Sequence, residues 1–338
     1  MPRLLTAGGP ILCIGETMVL LVPEQGPLAT AERLVVSVAG AESNVACGLA
    51  HLGAEAEWFS RVGDDPWGDR VVDFIKARGV LTGRVVQDTG NPTGIFFKDH
   101  AEGLTRVHYY RRGSAAAQLS AVDVRALLDA RPALTHVSGI TPALSFSAAD
   151  AMEAIVRERV LGGSLVSFDV NYRPGLWSPD AAGPVLRHLA RASDIVLVGL
   201  DEAGTVWGAR TPDDVRELVP EPSHLVVKDG ALGATHYGPE GAMFVPAMSA
   251  AVVEPVGAGD AFAAGFLAAH VAGEPTGVGL RLGHLMAALT MQDAADLPEM
   301  PPATQLWSLA RDRERWTRTH ITRNSLTSLV PTTEDSWT

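Results

Sequence analysis

Late in the chain, Glu254–Gly273 reads EPVGAGDAFAAGFLAAHVAG, a turn, a short glycine loop and an apolar helix-forming run. Gly257 and Gly259 remove the side chains that would hold a ligand away from the backbone. A helix starting at about Ala258 presents unpaired N–H donors and roughly half a positive charge at its N-terminus, which suits an anion. Asp260 is the one carboxylate in that electropositive place. A carboxylate beside an anion hole can take a proton from a hydroxyl while the hole holds the charge developing on a transferred group. The combination points to phosphoryl transfer to an alcohol, with Asp260 as base and Gly257, Ala258 and Gly259 as the hole. The plainer alternative is that Asp260 caps the helix. Two familiar phosphate loops are excluded. Phe262 stands where a dinucleotide-binding G-x-G-x-x-G needs its last glycine, and the chain contains no Gly-Lys pair for a P-loop.

From Gly257 to Phe262 the stretch resembles the signature of the ribokinase-like (PfkB) carbohydrate kinases, Asp-Thr-x-Gly-Ala-Gly-Asp-x-Phe, with Glu254 and Pro255 replacing its Asp and Thr. Gly40-Ala-Glu-Ser-Asn44-Val-Ala is similar to that family's N-terminal signature, and Arg61–Gly68 to its Arg-Val-Gly-x-Asp-x-x-Gly. Within the family, Tyr109–Ala115, Ser138–Leu144, Asp169–Arg173 and Leu176-Trp177 look most like kinases of 2-keto-3-deoxygluconate, a sugar acid. The likeness covers residues 6–296. It implies an α/β ribokinase-like three-layer sandwich with a mostly parallel central sheet and a small β-sheet lid. It further implies ATP-dependent phosphorylation of the sugar acid at its terminal primary hydroxyl. Gly40, Asn44, Tyr109, Arg111, Arg173 and Asp296 would touch the sugar acid. Asn171, the loop holding Lys228, Gly230 and Gly233, and His284 would line the ATP site. Glu202, left from the family's Asn-x-x-Glu motif as Gly199-Leu-Asp-Glu202, would serve Mg2+. Phe96 stands where the family often has Tyr, and His284 where Asn is usual; a lone helical histidine is otherwise a packed or surface residue.

The chemistry agrees with the resemblance on independent grounds. A guanidinium is the planar fork that matches a carboxylate, so Arg111 and Arg173 converging on one substrate suits an acid better than a neutral sugar. Another sugar kinase (of ribose, fructose or 5-keto-2-deoxygluconate) and a non-catalytic sugar-acid sensor on the same fold remain open. A nicotinamide dehydrogenase is disfavoured by the missing nucleotide loop.

Composition bounds the answer. The chain has 338 residues, 46% of them hydrophobic and 20% charged, which is the make-up of a globular protein with a sizeable core. Its net charge of −12 argues against nucleic acid or an anionic membrane as partner. Only Lys76, Lys98 and Lys228 are lysines. Cys13 and Cys47 suit a reduced, cytoplasmic setting, and no apolar run is long enough for a membrane span.

The elements that must position these residues follow from periodicity and turn chemistry. Ile11–Gly15, Met18–Val22, Leu34–Val38 and Glu57–Val62 read as strands, with a helix through Val45–Leu52 ending at Gly53. Asp65 and Pro66 start another helix. Val85–Gln87, Gly94–Lys98 and Arg106–Arg111 are short β runs between Gly and Pro turns, the pattern of an antiparallel flap. From Ser120 onward strands and helices alternate: helix 121–130, strand Leu134–Ser138, helix 148–160, strand Leu165–Asp169, helix 180–191, strand Asp194–Val198, a helix carrying Glu202, and strand Leu225–Lys228. Such alternation predicts right-handed βαβ units and a parallel sheet, with ligand beyond the carboxyl ends of the strands. Helices over about 278–293 and 302–317 follow the signature. One kinase domain is expected over residues 1–318, with lid strands from about 17–38 and 85–112 that also make a homo-oligomer contact. Residues 319–338, rich in Ser and Thr, read as a flexible tail.

Overall fold

The computed structural model describes residues 9–101, 104–250, 252–293, 295–322 and 325–328. The chain opens with strand β1 (Ile11–Ile14), β2 (Met18–Pro23) and β3 (Leu34–Ala39), followed by helix α1 (Ala41–His51). Then come β4 (Ala56–Phe59), β5 (Arg61–Gly63), α2 (Pro66–Lys76), β6 (Val86–Asp88), β7 (Ile95–Ala101) and β8 (Leu104–Tyr110). The alternating part runs α3 (Ala121–Arg125), β9 (Leu134–Ser138), α4 (Phe146–Val156), β10 (Leu165–Asp169), α5 (Pro179–Arg191), β11 (Ile195–Gly199), α6 (Leu200–Trp207) and α7 (Pro212–Leu218). It closes with β12 (His224–Asp229), β13 (Gly233–Gly238), β14 (Gly241–Pro246), α8 (Ala258–Val271), α9 (Thr276–Thr290), α10 (Ala303–Arg311), α11 (Arg313–Arg318), β15 (Thr319–Thr322) and β16 (Ser325–Ser328).

Eight strands form the central sheet in the order β14-β13-β12-β11-β10-β9-β1-β4. All pairs from β12 to β4 are parallel, and only the β13 and β14 edge is antiparallel. Strands with both faces covered tend to be apolar on both. Ile11 and Cys13 accordingly join one core cluster, and Leu12 and Ile14 the other. The first cluster is closed by α1, α8, α9 and α10, and the second by α4 and α5. The sandwich expected from the alternating pattern is therefore present, with helices on both faces. A separate four-stranded sheet, β3-β2-β7-β8, stands apart from it.

Several boundaries differ from the sequence reading. Helix α1 starts four positions earlier than Val45, at Ala41, because extended Gly40 serves as its N-cap; Glu42 and Asn44 thus lie in its first turn. The run 57–62 divides at Ser60: β4 stays beside β1, while β5 leaves to pair with β6. Val86–Asp88 therefore belongs to this two-stranded sheet and not to the lid, held there by Arg61, whose guanidinium meets Asp88 at 2.9 Å and Asp123 at 2.8 Å. Helix 121–130 breaks after Arg125 into a short 3-10 turn, although Ser120 and Asp123 do form the expected capping box. The hairpin β13–β14, unread in the sequence, extends the sheet beyond Lys228. Within the segment read as a tail, β15 pairs with β16, as β-branched Thr and Ile favour. Residues 323–324 and 329–338 of that segment lie outside the described residues.

Candidate active site

Five strand ends bring the chemistry to one edge of the sheet. Glu16 follows β1, Ser138 ends β9, Asp169 ends β10, Glu202 enters α6 just after β11, and Lys228 lies near the end of β12. Helix α8 points its N-terminus at this edge, and Gly257 is its N-cap at φ 86°. A β-carbon on Gly257 would be strained by that φ and would also lie 3.0 Å from the Asp296 carbonyl oxygen. The equivalent atom on Gly259 would meet only the Lys228 ammonium, at 3.5 Å. The loop is thus a set of open amides flanked by a cation, with Ala258 as the first helical residue.

Asp260 sits in the first turn of α8 and is buried. Asn44 from α1 donates to its Oδ2 at 2.9 Å, and Asn171 donates to its Oδ1 at 3.4 Å. Burial pushes the Asp260 carboxyl up to about 7; the Asn44 hydrogen bond and the Arg173 charge oppose that, while Asp169 and Asp296 add to it. A carboxylate poised near neutrality within hydrogen-bonding reach of a ligand hydroxyl is what a general base requires. Asn171 adopts φ 40°, a left-handed conformation that Asn tolerates, and its buried Oδ1 has no partner. The buried Oδ1 of Asn44 is likewise unpartnered.

Lys228 holds Asp169 at 3.0 Å. Burial alone would lower its ammonium pKa, but Asp169, Glu202 and Asp260 together raise it, so it stays charged. Gly230 and Gly233 turn the chain from β12 into β13, both at positive φ, and a β-carbon on Gly233 would collide with the Val245 carbonyl. Glu202 accepts from the Gly199 backbone N–H at 2.8 Å, capping its own helix, and its other oxygen lies 3.7 Å from Arg173. Burial raises its carboxyl pKa, Lys228 and Arg173 oppose the rise, and Asp169 adds to it.

On the lid side, Gly40 is required by close approach, since a β-carbon there would lie 2.4 Å from the Glu16 carbonyl oxygen. Tyr109 stacks on Phe96 with ring centroids 5.6 Å apart and lies under the Arg111 guanidinium. Two expectations need correction here. Arg111 does not stand free for a substrate carboxylate; it is ion-paired with buried Glu16, which also accepts from Ser114 Oγ. His284 does not line an open site. It is buried in α9, its Nε2 meets the Val245 carbonyl at 3.0 Å, its ring packs edge-on against Phe262, and burial pushes its pKa down to about 4. Arg173 remains partly exposed, meeting the Tyr172 carbonyl and Glu202 among the described residues.

Sequence reasoning missed three residues. Lys98, from lid strand β7, is fully buried and reaches Asp296 at 2.6 Å. Glu16 neutralises Arg111. Glu42 lies in the first turn of α1, where Ser138 donates to it at 2.6 Å. Burial pushes its carboxyl up to about 7, with the Ser138 and Thr141 hydroxyls and the Arg111 charge opposing. The signal available for Lys98 was the scarcity of lysine; one of only three, directly after the apolar run Ile95–Phe97, is out of place when buried unless paired.

A cleft of about 480 Å³ opens behind the first turn of α8, lined in part by Asn44, Gly257, Ala261, Thr290 and Asp296. Among the described residues no cluster of three or more His, Cys, Asp or Glu is arranged to hold a metal. No helix among them is long and apolar enough to cross a membrane.

Residues 10–301 match the model of the pfkB family carbohydrate kinases. The chain is 33% identical over 308 residues to a 2-dehydro-3-deoxygluconokinase of Bacillus subtilis (strain 168), covering 87% of this chain and 93% of that one. It is 31% identical to a 2-dehydro-3-deoxygalactonokinase of Haloferax volcanii, covering 86% and 94%. Among solved structures, a PfkB protein from Polaromonas sp. JS666 superposes with a TM-score of 0.79 at 34% identity, covering 88% of this chain and 98% of that one.

Proposed function

We propose, from the premise that this chain belongs to the pfkB family of carbohydrate kinases and is a sugar phosphotransferase, that its acceptor is a 2-keto-3-deoxy sugar acid and its donor ATP. The observation that carries the reading is Asp260, held near neutrality between the Asn44 and Asn171 amides at the mouth of the Gly257–Gly259 hole. The gluconate-type acid is supported by relatives named for it at 33% identity, and the galactonate type by one at 31%.

In this reading Asp260 accepts the proton of the terminal primary hydroxyl, making its oxygen a nucleophile. The Gly257, Ala258 and Gly259 amides and the Lys228 ammonium steady the negative charge on the arriving phosphoryl group. Asn44 fixes the Asp260 carboxylate so that its second oxygen faces the acceptor. Arg173 meets the sugar-acid carboxylate, and Tyr109, Gly40 and Arg111 shape the lid side of the sugar pocket. Gly230, Gly233 and Asn171 border the nucleotide, and the unpartnered Asn171 Oδ1 is an acceptor free for it. Magnesium would neutralise phosphate charge and is bound through one or two carboxylates plus phosphates and water, so a dedicated protein cage is not required. Glu202 fits that sparse demand only as a partner acting through water, because one of its oxygens already caps α6. A homo-oligomer through the lid and a cytoplasmic setting belong to the same reading.

A second reading has an observation in its favour. With Arg111 already neutralised by Glu16, the acceptor could be a neutral sugar, and fructokinases of Oryza sativa subsp. japonica are 27–28% identical. ADP release with Mg-ATP and 2-keto-3-deoxygluconate, beside ribose, fructose and no sugar, separates the two. Release with the sugar acid alone is expected; release with fructose or ribose would discard the acid-recognition role of Arg173.

A further inference from the structure

Lys98 is a lid residue whose ammonium, among the described residues, is ion-paired with the body, at Asp296. It stands on β7, where Phe96 and Lys98, two positions apart, share one face of the strand. Strand β7 pairs with β8 through Phe96↔Tyr109 and Lys98↔Val107, and Arg111 follows β8, so these side chains are carried by one hairpin. The Lys98 ammonium is 1% exposed and lies 2.6 Å from Asp296 Oδ1, itself 5% exposed. The Asp296 backbone packs directly on Gly257, the N-cap of the anion hole. Asp296 is therefore a negative charge at the border of a site meant for an anion, and its charge also disfavours ionisation of Asp260.

A buried ion pair roughly cancels its own desolvation cost, so it adds little net stability, yet it is expensive to leave half-made. Such a pair between two separately folded sheets is a poor staple and a good reporter of whether they are together. We propose that Lys98 is a positioning residue that couples lid closure to the phosphoryl site. Seated on Asp296, it cancels the carboxylate bordering Gly257–Gly259, so the hole accepts an anion when the lid strands cover the sugar. When the lid lifts, Asp296 is left uncompensated and the hole becomes less hospitable to phosphate. This coupling rests on the phosphotransfer reading above, but the latch itself does not.

The test uses the full chain with Lys98→Met, Lys98→Arg and the charge-free pair Lys98→Met with Asp296→Asn. Backbone hydrogen exchange of β7 and β8 is expected to quicken about tenfold or more in Lys98→Met while α8 stays as protected as before. Lys98→Arg should restore most of that protection. The charge-free pair should fold even where Lys98→Met does not, with lid exchange close to that of the unaltered chain, because neither charge is left buried alone. With sugar and Mg-ATP, kcat in Lys98→Met should fall roughly tenfold to a hundredfold at temperatures well below melting, less than the loss of an anion-hole donor itself. Unchanged lid exchange in Lys98→Met, or fast lid exchange in the charge-free pair, would overturn the proposal, as would a lowered melting temperature with kcat intact. If the unaltered chain released no ADP with any sugar, the phosphotransfer reading would fall, and the exchange measurement alone would decide the latch.

Discussion

The two larger sheets of this protein are built on opposite terms. In the central sheet Ile195, Val196, Leu197 and Val198 are all fully buried, alternately in one core cluster and the other. In the lid Met18, Leu20, Ala39 and Phe96 form a small cluster of their own with Val22 and Val107 beside it, Val19 and Val38 join the first core cluster, and Leu34, Val35 and Tyr110 face solvent. Hydrophobic stabilisation scales with area removed from water, so the first sheet is expected to be the firmer platform and the second, with its exposed outer strands, the easier to open. The chemistry is divided accordingly. Asp260, Asn171, Lys228 and Arg173 are fixed by the platform, whereas Tyr109, Arg111 and Lys98 arrive with the lid. Groups that must keep a set geometry sit where packing enforces it, and groups that must admit and release a ligand sit where opening costs little.

The sharpest way to break that division is at the platform. Asp260→Asn should lower kcat by ~10²–10⁴ with thermal stability kept, the usual worth of a general base. Near-normal turnover would remove Asp260 from the chemistry. Stability should be just as asymmetric. Leu197→Ala, in the middle of β11, should cost about 2–5 kcal/mol in a denaturant melt. Phe96→Ala should leave the main unfolding transition nearly in place and quicken only lid exchange. Equal losses from both would mean that the sheets unfold as one unit.

Smaller effects refine the comparison within the site. Arg173→Met should raise KM for the sugar acid about tenfold to a hundredfold, as expected for a hydrogen bond to a charged group, and leave any activity on neutral sugars unchanged. A similar rise for fructose would assign Arg173 to general positioning. The smallest expected effect is a shift of pH profile. With the Asp260 carboxyl at about 7, kcat/KM should climb as pH rises through neutrality, and removing the Arg173 charge should move that limb upward. Glu42 also titrates near 7, so Glu42→Gln must leave the limb in place if Asp260 is its source. Stability runs the other way. Both carboxyls keep their protons when folded up to about 7 but release them near 4 when unfolded, so their contribution falls as pH rises across that window. Glu42→Gln should flatten part of that fall in a series of thermal melts.

Much of this was legible in the residues. Short loops and alternation with helices marked the strands at Leu134–Ser138 and Leu165–Asp169, in which Leu134, Val137, Val166 and Phe168 supply the buried apolar side chains. The glycines at 257 and 259 marked an open loop at a helix N-terminus, because a left-handed cap and open amides need glycine. Ser120 and Asp65 marked their helices through side-chain caps that act within a few residues.

What the sequence left undecided depends on partners far apart in the chain. Arg111 reads as a free guanidinium until Glu16, 95 positions earlier, is seen beside it. Lys98 meets Asp296 across 198 residues, and Asn44 meets Asp260 across 216. Val86–Asp88 looks like any lid strand until Arg61 draws it elsewhere. Local propensity and period fix an element because neighbours along the chain determine its backbone. Which charge is spent inside the fold and which is left for a ligand is a property of distance in space, and that is decided only when the sheets come together.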